Sequence, residues 1–330
     1  LEGYRNRILG NENGKPLSGW KSLTGRGVAA LIKQMRPDCI YLTGFGYRYD
    51  WAAFIAALRM GIPVWIRMET QDEAVRRPRW KTVLRGLAYR LIYRGVAKAF
   101  YIGNLNRSHY ERHGIAPSKL VRAPYCTVDR VAGFSTQEKI SRRAAMRERL
   151  GFDDATCVAG FFGKLIPKKD PGLILEALAL AKREKFAALY VGAGELESDL
   201  RARAEHLSTA AIFTGFVNQT ELADYYLASD IMVLPSRRAG ETWGLVVNEA
   251  LQAGCAVIVS EAAGSAREFC DWERVRVIPE GDAAALARAM EELSKFPRDF
   301  DWAREGMAGY SIDAAARAIA NEIASAVPLA

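Results

Sequence analysis

The chain has 330 residues, half of them hydrophobic and a quarter charged, with a formal net charge of +8 at pH 7. This length and ordinary globular mix favour two domains, and no apolar run approaches the ~18–20 residues of a membrane span. The five cysteines (Cys39, Cys126, Cys157, Cys255, Cys270) never form a C-x-x-C pair and no secretory signal is present; this argues against a disulfide framework and points to reduced thiols in the cytoplasm.

The chain opens with Leu1, and residues 1–25 are rich in Gly and Asn without a clear period, so mostly loop is expected. Helices are then predicted at Gly27–Met35, Asp50–Met60, within Trp80–Tyr93 and at Asn104–His113. Strands are predicted at Cys39–Leu42, Pro63–Arg67, Ala97–Ile102 and Lys119–Arg122. Such alternation means a parallel sheet with helices on both faces. About four strands precede the linker, against six in a full doubly wound unit, so a native N-terminal segment of some tens of residues is expected beyond this sequence. His109 and His113 stand four apart on a predicted helix, with no metalloprotease Glu and no third ligand suggested; they read as structural, and no metal site is expected. Between Arg76 and Lys98 lie eight basic residues and no acid, with Trp80, Tyr89 and Tyr93 among them. A solvated helix face, an anionic bilayer, a phosphate-bearing acceptor and nucleic acid all fit that pattern.

Val128–Leu150 is polar and charged and leads to Gly151, which marks the expected domain junction. Beyond it, strands are predicted at Cys157–Phe162, Ala187–Val191, Ala211–Thr214, Ile231–Leu234, Ala256–Ser260 and Val275–Ile278, each followed by a helix. Asp170-Pro171 reads as an N-cap with Pro at the first helical position, and Asn218 with Glu221 as a capping box. An Ala-rich helix is expected from Ile312 to Val327.

Four loops carry chemistry. Gly163-Lys164-Leu165-Ile166-Pro167-Lys168-Lys169-Asp170 leaves a strand and enters a helix with several cations, and Gly192-Ala193-Gly194 and Gly215-Phe216-Val217 follow the next two strands. The fourth, within Pro235–Glu268, holds two carboxylates eight apart, Glu241 and Glu249, around the turn Thr242-Trp243-Gly244. It lies between the carboxyl end of a strand and the N-terminus of a helix, where open α/β sheets bind ligands and where free N–H groups favour anions. With the helix beginning near Trp243, the amides of Trp243, Gly244 and Leu245 would face a phosphate. Glu249 would then lie about 7–8 Å further along the axis. A diphosphate between a ribose and a sugar would bring hydroxyls near both acids, so the stretch reads as a nucleotide-sugar site.

The pattern A-G-E-T-W-G-L-V-V-N-E-A-L-x-x-G resembles the signature of retaining glycosyltransferases of family 4. The resemblance implies the GT-B fold: two doubly wound Rossmann-like α/β domains facing across a cleft, with a C-terminal helix crossing back to the first. The implied division is an acceptor domain over 1–150, incomplete at its start, a nucleotide-sugar domain over 151–305 and a crossover helix over 306–330. By position, Glu241 resembles the residue that holds the donor sugar's hydroxyls and Glu249 the ribose ligand, while the Gly244 and Leu245 amides resemble diphosphate ligands. Gly163 to Asp170 resembles the family's G-R-L-x-x-x-K-G loop: Lys169 matches its Lys, Lys164 replaces the Arg and loses the bidentate fork, and Asp170 replaces the Gly. Trp243 stands where Phe is commoner. Val217 resembles the position whose backbone reads the base. Where the family often has a His after the second strand this chain has none; either Arg67 or Glu69 faces the reacting centre on the acceptor side, or the two form a structural Arg–Glu pair.

The implied activity is retaining, metal-independent transfer of a hexose-type sugar from a UDP- or GDP-sugar to an unidentified acceptor, with no bound cofactor. Glu241, Lys164 and Lys169 are the expected catalytic residues, and Gly163, Gly192, Val217, Thr242, Trp243, Gly244, Leu245 and Glu249 the donor contacts. A GT-B sugar-nucleotide epimerase, and an inactive GT-B binder of membrane or nucleic acid, are the alternatives. Three histidines are few for the first, and both Glu241 and Glu249 argue against the second. The protein is expected in the cytoplasm, with peripheral attachment at the inner membrane face through Arg76–Lys98; nucleic acid is not an expected partner.

Overall fold

A computed structural model describes residues 24–181 and 185–326; most of the loop expected over 1–25 and the last residue of the predicted C-terminal helix lie outside them. In chain order the first elements are α1 (Val28–Met35), β1 (Ile40–Leu42), α2 (Arg48–Arg59), β2 (Val64–Ile66), α3 (Arg79–Tyr93), β3 (Lys98–Tyr101), α4 (Asn104–Arg112) and β4 (Leu120–Arg122). The four strands form one parallel sheet in the order β1-β2-β3-β4. Its core holds Phe54, Ile66, Val96 and Tyr110. His109 is buried in it, with Nε2 2.8 Å from the Tyr93 hydroxyl.

The chain continues with α5 (Thr136–Leu150), β5 (Cys157–Phe162), α6 (Gly172–Leu180), β6 (Phe186–Val191), α7 (Glu197–His206), β7 (Ala211–Phe213), α8 (Leu222–Ala228) and β8 (Ile231–Leu234). It ends with α9 (Val246–Gln252), β9 (Ala256–Ser260), α10 (Ala266–Phe269), β10 (Val275–Ile278), α11 (Ala283–Leu293), α12 (Arg304–Ala308) and α13 (Ile312–Ala326). Six parallel strands form the second sheet in the order β10-β9-β8-β5-β6-β7. Four of them are buried along their whole length, as helices on both faces require, and so read as unbroken apolar runs.

The chain divides into one unit of 1–70, 77–123 and 317–330 and another of 71–76 and 124–316. The expected division fell at Gly151, whereas residues 124–150 group with the second unit. The cause is α5. A capping box starts it, with Ser135 Oγ accepting from the Glu138 amide and Glu138 accepting from the Ser135 amide. Its Arg147, 2% exposed, donates to the carbonyls of Asp153 (2.5 Å), Thr156 (2.6 Å) and Ala228 (3.0 Å) and to Asp230 Oδ2 (3.2 Å). Arg143 takes the other Asp230 oxygen at 2.5 Å, and Asp230 Oδ2 also accepts from the Val158 amide at the start of β5. At the far end of the chain, Ala318 and Ile319 of α13 pack on Trp65, Phe100 and Ala123, and Lys98 pairs with Glu322 at 2.8 Å.

Two expected helix starts differ. Asn218 and Glu221 make no capping box, because α8 begins only at Leu222 and Asn218 Oδ1 accepts from the Thr220 amide instead. Asp170 does not cap α6. Its backbone is left-handed, at φ 48°, and its carboxylate turns to Arg237.

Arg147 yields a stability prediction. Arg147→Ala removes a buried charged donor from four acceptors, breaking its pair with Asp230, and should cost about 3–5 kcal/mol in urea unfolding. Arg142→Ala, which loses a mostly exposed pair with Asp224, should cost about 1 kcal/mol or less. Equal losses would show that α5 is not anchored through Arg147.

Candidate functional site

In the second sheet the chain proceeds from β5 outward to β6 and β7, then returns to the other side of β5 and proceeds through β8, β9 and β10. Strand order therefore reverses between β5 and β8, which leaves a crevice at their carboxyl ends where such sheets take ligands. The two loops that leave there are the basic loop after β5 and the Glu241 loop after β8. Lys169 Nζ lies 2.5 Å from Glu241 Oε2, with both side chains largely buried. Ser236 Oγ donates to the same oxygen at 3.2 Å. The loops also touch through Arg237, whose amide donates to the Lys168 carbonyl at 2.8 Å and whose Nε is 2.5 Å from Asp170 Oδ2. Burial raises the Asp170 carboxyl above its ordinary range, against the pull of Arg237. Lys164, on the same loop, is exposed.

The glycine turns at the ends of β5, β6 and β7 are interlocked. Gly163 donates to the Val191 carbonyl at 3.0 Å, Leu165 to Ala193 at 3.1 Å, and Gly192 to Gly215 at 2.9 Å. A Cβ on Gly192, at φ 142°, would sit 2.0 Å from the Gly163 carbonyl oxygen. One on Gly194 would sit 2.3 Å from the Leu165 oxygen. Backbone thus runs on backbone here, which only glycine permits, and a floor of main chain is left at the sheet end. Beyond Gly215, Val217 is half-buried while Phe216 is 82% exposed.

After β8 the helix begins three residues later than expected. Gly244 is left-handed at φ 94°, a conformation that favours glycine, and a Cβ there would also press on the tip of Leu234, with Cδ2 at 2.4 Å. Trp243 is not a ligand-facing side chain. It is 3% exposed, its indole N–H donates to Asn248 Oδ1 at 2.8 Å, and its ring stacks on Tyr125. Thr242 packs against Gly264, where a Cβ would strike the Thr242 carbonyl oxygen. Among the described residues, the amides of Gly244 and Leu245 make no hydrogen bond, while Val247 N closes the first turn on Gly244 O. Those two N–H groups stand ready for an anion.

Glu249 has other neighbours. Its Oε2 accepts from the Tyr226 hydroxyl at 2.7 Å, and the side chain lines a narrow cleft with Arg130, Leu222 and Gln252. Burial holds its carboxyl above the ordinary value, with Tyr226 and Arg130 pulling the other way. In the first unit, Arg67 follows β2 half-buried and reaches the Ala123 carbonyl at 3.4 Å, and Glu69 is exposed. Tyr226, Ser236, Arg237 and Arg130 join these clusters without having been picked out beforehand. Only Ser236, next to the end of β8, had a positional signal.

A family model described as Glycosyl transferases group 1 matches residues 142–305, and one described as Glycosyl transferase 4-like domain matches residues 4–126. The chain is 32% identical over 162 residues to the GDP-mannose-dependent monoacylated alpha-(1-6)-phosphatidylinositol monomannoside mannosyltransferase of Corynebacterium glutamicum, across 47% of this chain and 42% of that one. It is 30% identical over 202 residues to the D-inositol 3-phosphate glycosyltransferase of Streptomyces coelicolor, across 56% and 44%. The chain thus spans less than half the length of these curated relatives. Among solved structures, Anabaena Alr3699/HepE in complex with UDP superposes with TM-score 0.72 at 17% identity, over 90% of this chain and 82% of that one. A glycosyltransferase from Rickettsia africae gives 0.73 at 14%, over 93% and 81%. At such identities the likeness speaks for the fold.

The raised carboxyl of Glu249 makes a pH prediction. The folded state keeps this proton to higher pH than the unfolded chain. Its favourable contribution is therefore complete below the ordinary value of 4.5 and is lost as pH rises through the folded pKa. Glu249→Gln retains an acceptor for Tyr226 but does not titrate. Its stability relative to the parent should climb as pH rises above 4.5. A difference that stays flat from acid to neutral pH in parallel urea titrations would contradict this.

Proposed function

Because the chain belongs to the group 1 glycosyl transferases, of GT-B architecture, we propose that it transfers a hexose-type sugar from a nucleoside-diphosphate sugar to an acceptor hydroxyl with retention of configuration. The observation that carries the reading is the Lys169–Glu241 pair at the point where strand order reverses. A cation suited to a leaving diphosphate and a carboxylate suited to sugar hydroxyls stand side by side, where a ligand can separate and use both.

In this proposal Glu241 accepts hydrogen bonds from the donor sugar. Lys169, Lys164 and the Gly244 and Leu245 amides take the diphosphate's charge, the task a divalent metal performs in other sites. Glu249, with Tyr226 behind it, holds the ribose. Gly163 and Gly192 leave room for the ligand over bare main chain, and the backbone around Val217 meets the base. Thr242 and Trp243 contribute backbone and shape rather than an aromatic face. Arg67 and Glu69 serve the acceptor side. The bond from the anomeric carbon to the diphosphate breaks, the acceptor oxygen bonds on the same face, and its proton passes to the departing phosphate oxygen. One relative is named for GDP-mannose and one solved structure for UDP, so the donor is a GDP- or UDP-sugar.

The acceptor is proposed to be lipid-borne, reached from a bilayer on which α3 lies. Trp80, Leu84, Leu87 and Leu91 recur at helical spacing and, with Val83, are each 57–67% exposed, while Arg79, Lys81, Arg90 and Arg94 are exposed around them. An apolar stripe with cationic flanks fits an anionic bilayer surface rather than nucleic acid. No helix among the described residues is long and apolar enough to cross a membrane. One named relative acts on a phosphatidylinositol mannoside.

Calorimetry with UDP, GDP, ADP and TDP, beside steady-state donor turnover, tests the donor site. Glu249→Ala should weaken binding of the preferred diphosphate about ten- to a hundredfold. Glu241→Ala should lower kcat by a similar factor while leaving diphosphate affinity nearly intact. Indifference of the parent protein to all four nucleotides would sink the reading; the opposite pattern in the two variants would reverse the ligand's orientation.

For the bilayer, flotation with vesicles containing anionic lipid should be lost in Leu84→Gln/Leu87→Gln. It should become weaker in Arg79→Gln/Arg90→Gln, most visibly at low salt, since exposed charges act over only ~8–10 Å at physiological ionic strength. Diphosphate binding should not change in either. Equal flotation of all three proteins would remove α3 from the account.

A further inference from the structure

We propose that residues 71–76 splint the Glu241 loop and set the position of its carboxylate, an inference that rests on the transferase reading above. The segment leaves the first unit after Thr70, groups with the second, and rejoins the first at Arg77. Val75 forms an antiparallel bridge with Ala239, and the Gly240 amide donates to the Ala74 carbonyl at 2.9 Å. Gly240 directly precedes Glu241 and is left-handed, at φ 102°, so the bond to Ala74 fixes the turn from which Glu241 projects. Ala74 is buried, and Gln71, also buried, accepts from the Glu73 amide at 3.0 Å, which holds the segment in its bend.

Arg238 is the positioning residue. Its Nη1 donates to the Glu73 carbonyl at 3.0 Å and its Nη2 lies 3.4 Å from Glu261 Oε1. Its amide donates to Glu280 Oε1 at 3.0 Å, and Glu280 Oε2 accepts from Arg76 at 3.3 Å. Arg238 and Glu280 thus bracket the segment against the loop. The loop's opposite flank is held through Arg237 by the Lys168 carbonyl and Asp170. Glu241 follows these grips in the loop and meets Ser236 and Lys169. The hydrogen bonds named here tie the segment to Arg238, Gly240 and Glu280, not to Gly244, Leu245 or Glu249, so nucleotide affinity should not depend on it. A carboxylate displaced by about 1 Å from the hydroxyls it must meet can lose a hundredfold in rate.

The experiment uses the full chain with Arg238→Ala, Arg238→Lys and Glu280→Gln. It measures turnover of the best nucleotide sugar with water as acceptor, affinity for the bare diphosphate, and melting temperature. Arg238→Ala should turn over at least tenfold more slowly with diphosphate Kd within twofold of the parent, and Arg238→Lys should recover part of the rate. Glu280→Gln, a milder lesion, should lose about threefold with the same split. Turnover at the parental rate, or a fall matched by an equal loss of diphosphate affinity, overturns the splint. Where Arg238→Ala does not fold, the same split in Glu280→Gln decides. A parent protein that binds no nucleoside diphosphate fails the transferase reading itself, and the splint falls with it; a parent that binds and turns over beside an unaffected Arg238→Ala refutes the splint alone.

Discussion

The second unit is organised by the adjacency of β5 and β8. Because the sheet grows outward from β5 in one direction and then in the other, two loops distant in sequence emerge side by side. The contacts between those loops follow from their meeting: Lys169 with Glu241, and Arg237 with Asp170 and the Lys168 carbonyl. A buried cation and anion cost desolvation that their attraction barely offsets. Such a pair is therefore a weak device for stability and a good one for holding two groups ready for a charged ligand.

The same crevice explains why glycine is concentrated where it is. At Gly192 and Gly194 a Cβ would strike main chain, and at Gly163 and Gly244 the positive φ favours glycine. The glycine signature at this sheet end is first a requirement of packing and of backbone conformation. Ligand access is what the resulting bare surface allows.

Much of this was legible beforehand. The strands Cys157–Phe162, Ile231–Leu234, Ala256–Ser260 and Val275–Ile278 run as expected, because buried parallel strands are short apolar runs between helices. Strand order was not legible, since alternating β and α says nothing about which strands are neighbours, and so Lys169 and Glu241 could be named but not paired. The late start of α9 was hidden because Trp243 looks like a helix-opening residue until Tyr125 and Asn248 draw it into the core. The domain division was missed for a different reason. Ser135-Thr136-Gln137-Glu138 carries a capping-box signal, yet a polar stretch with several arginines reads as linker until Asp230 supplies the partner that buries two of them.

Asp170 shows how such a site resists simple ranking of variants. Its left-handed backbone is a small standing strain for a residue with a Cβ, and its half-buried carboxylate is held in an ion pair with the exposed Arg237. A glycine there would relax the main chain and at the same time release Arg237 from the loop that carries Glu241. The two effects have opposite signs, so heat resistance and useful work need not move together at this position. A library sorted by melting temperature would favour the relaxed chain and discard the registry between the loops.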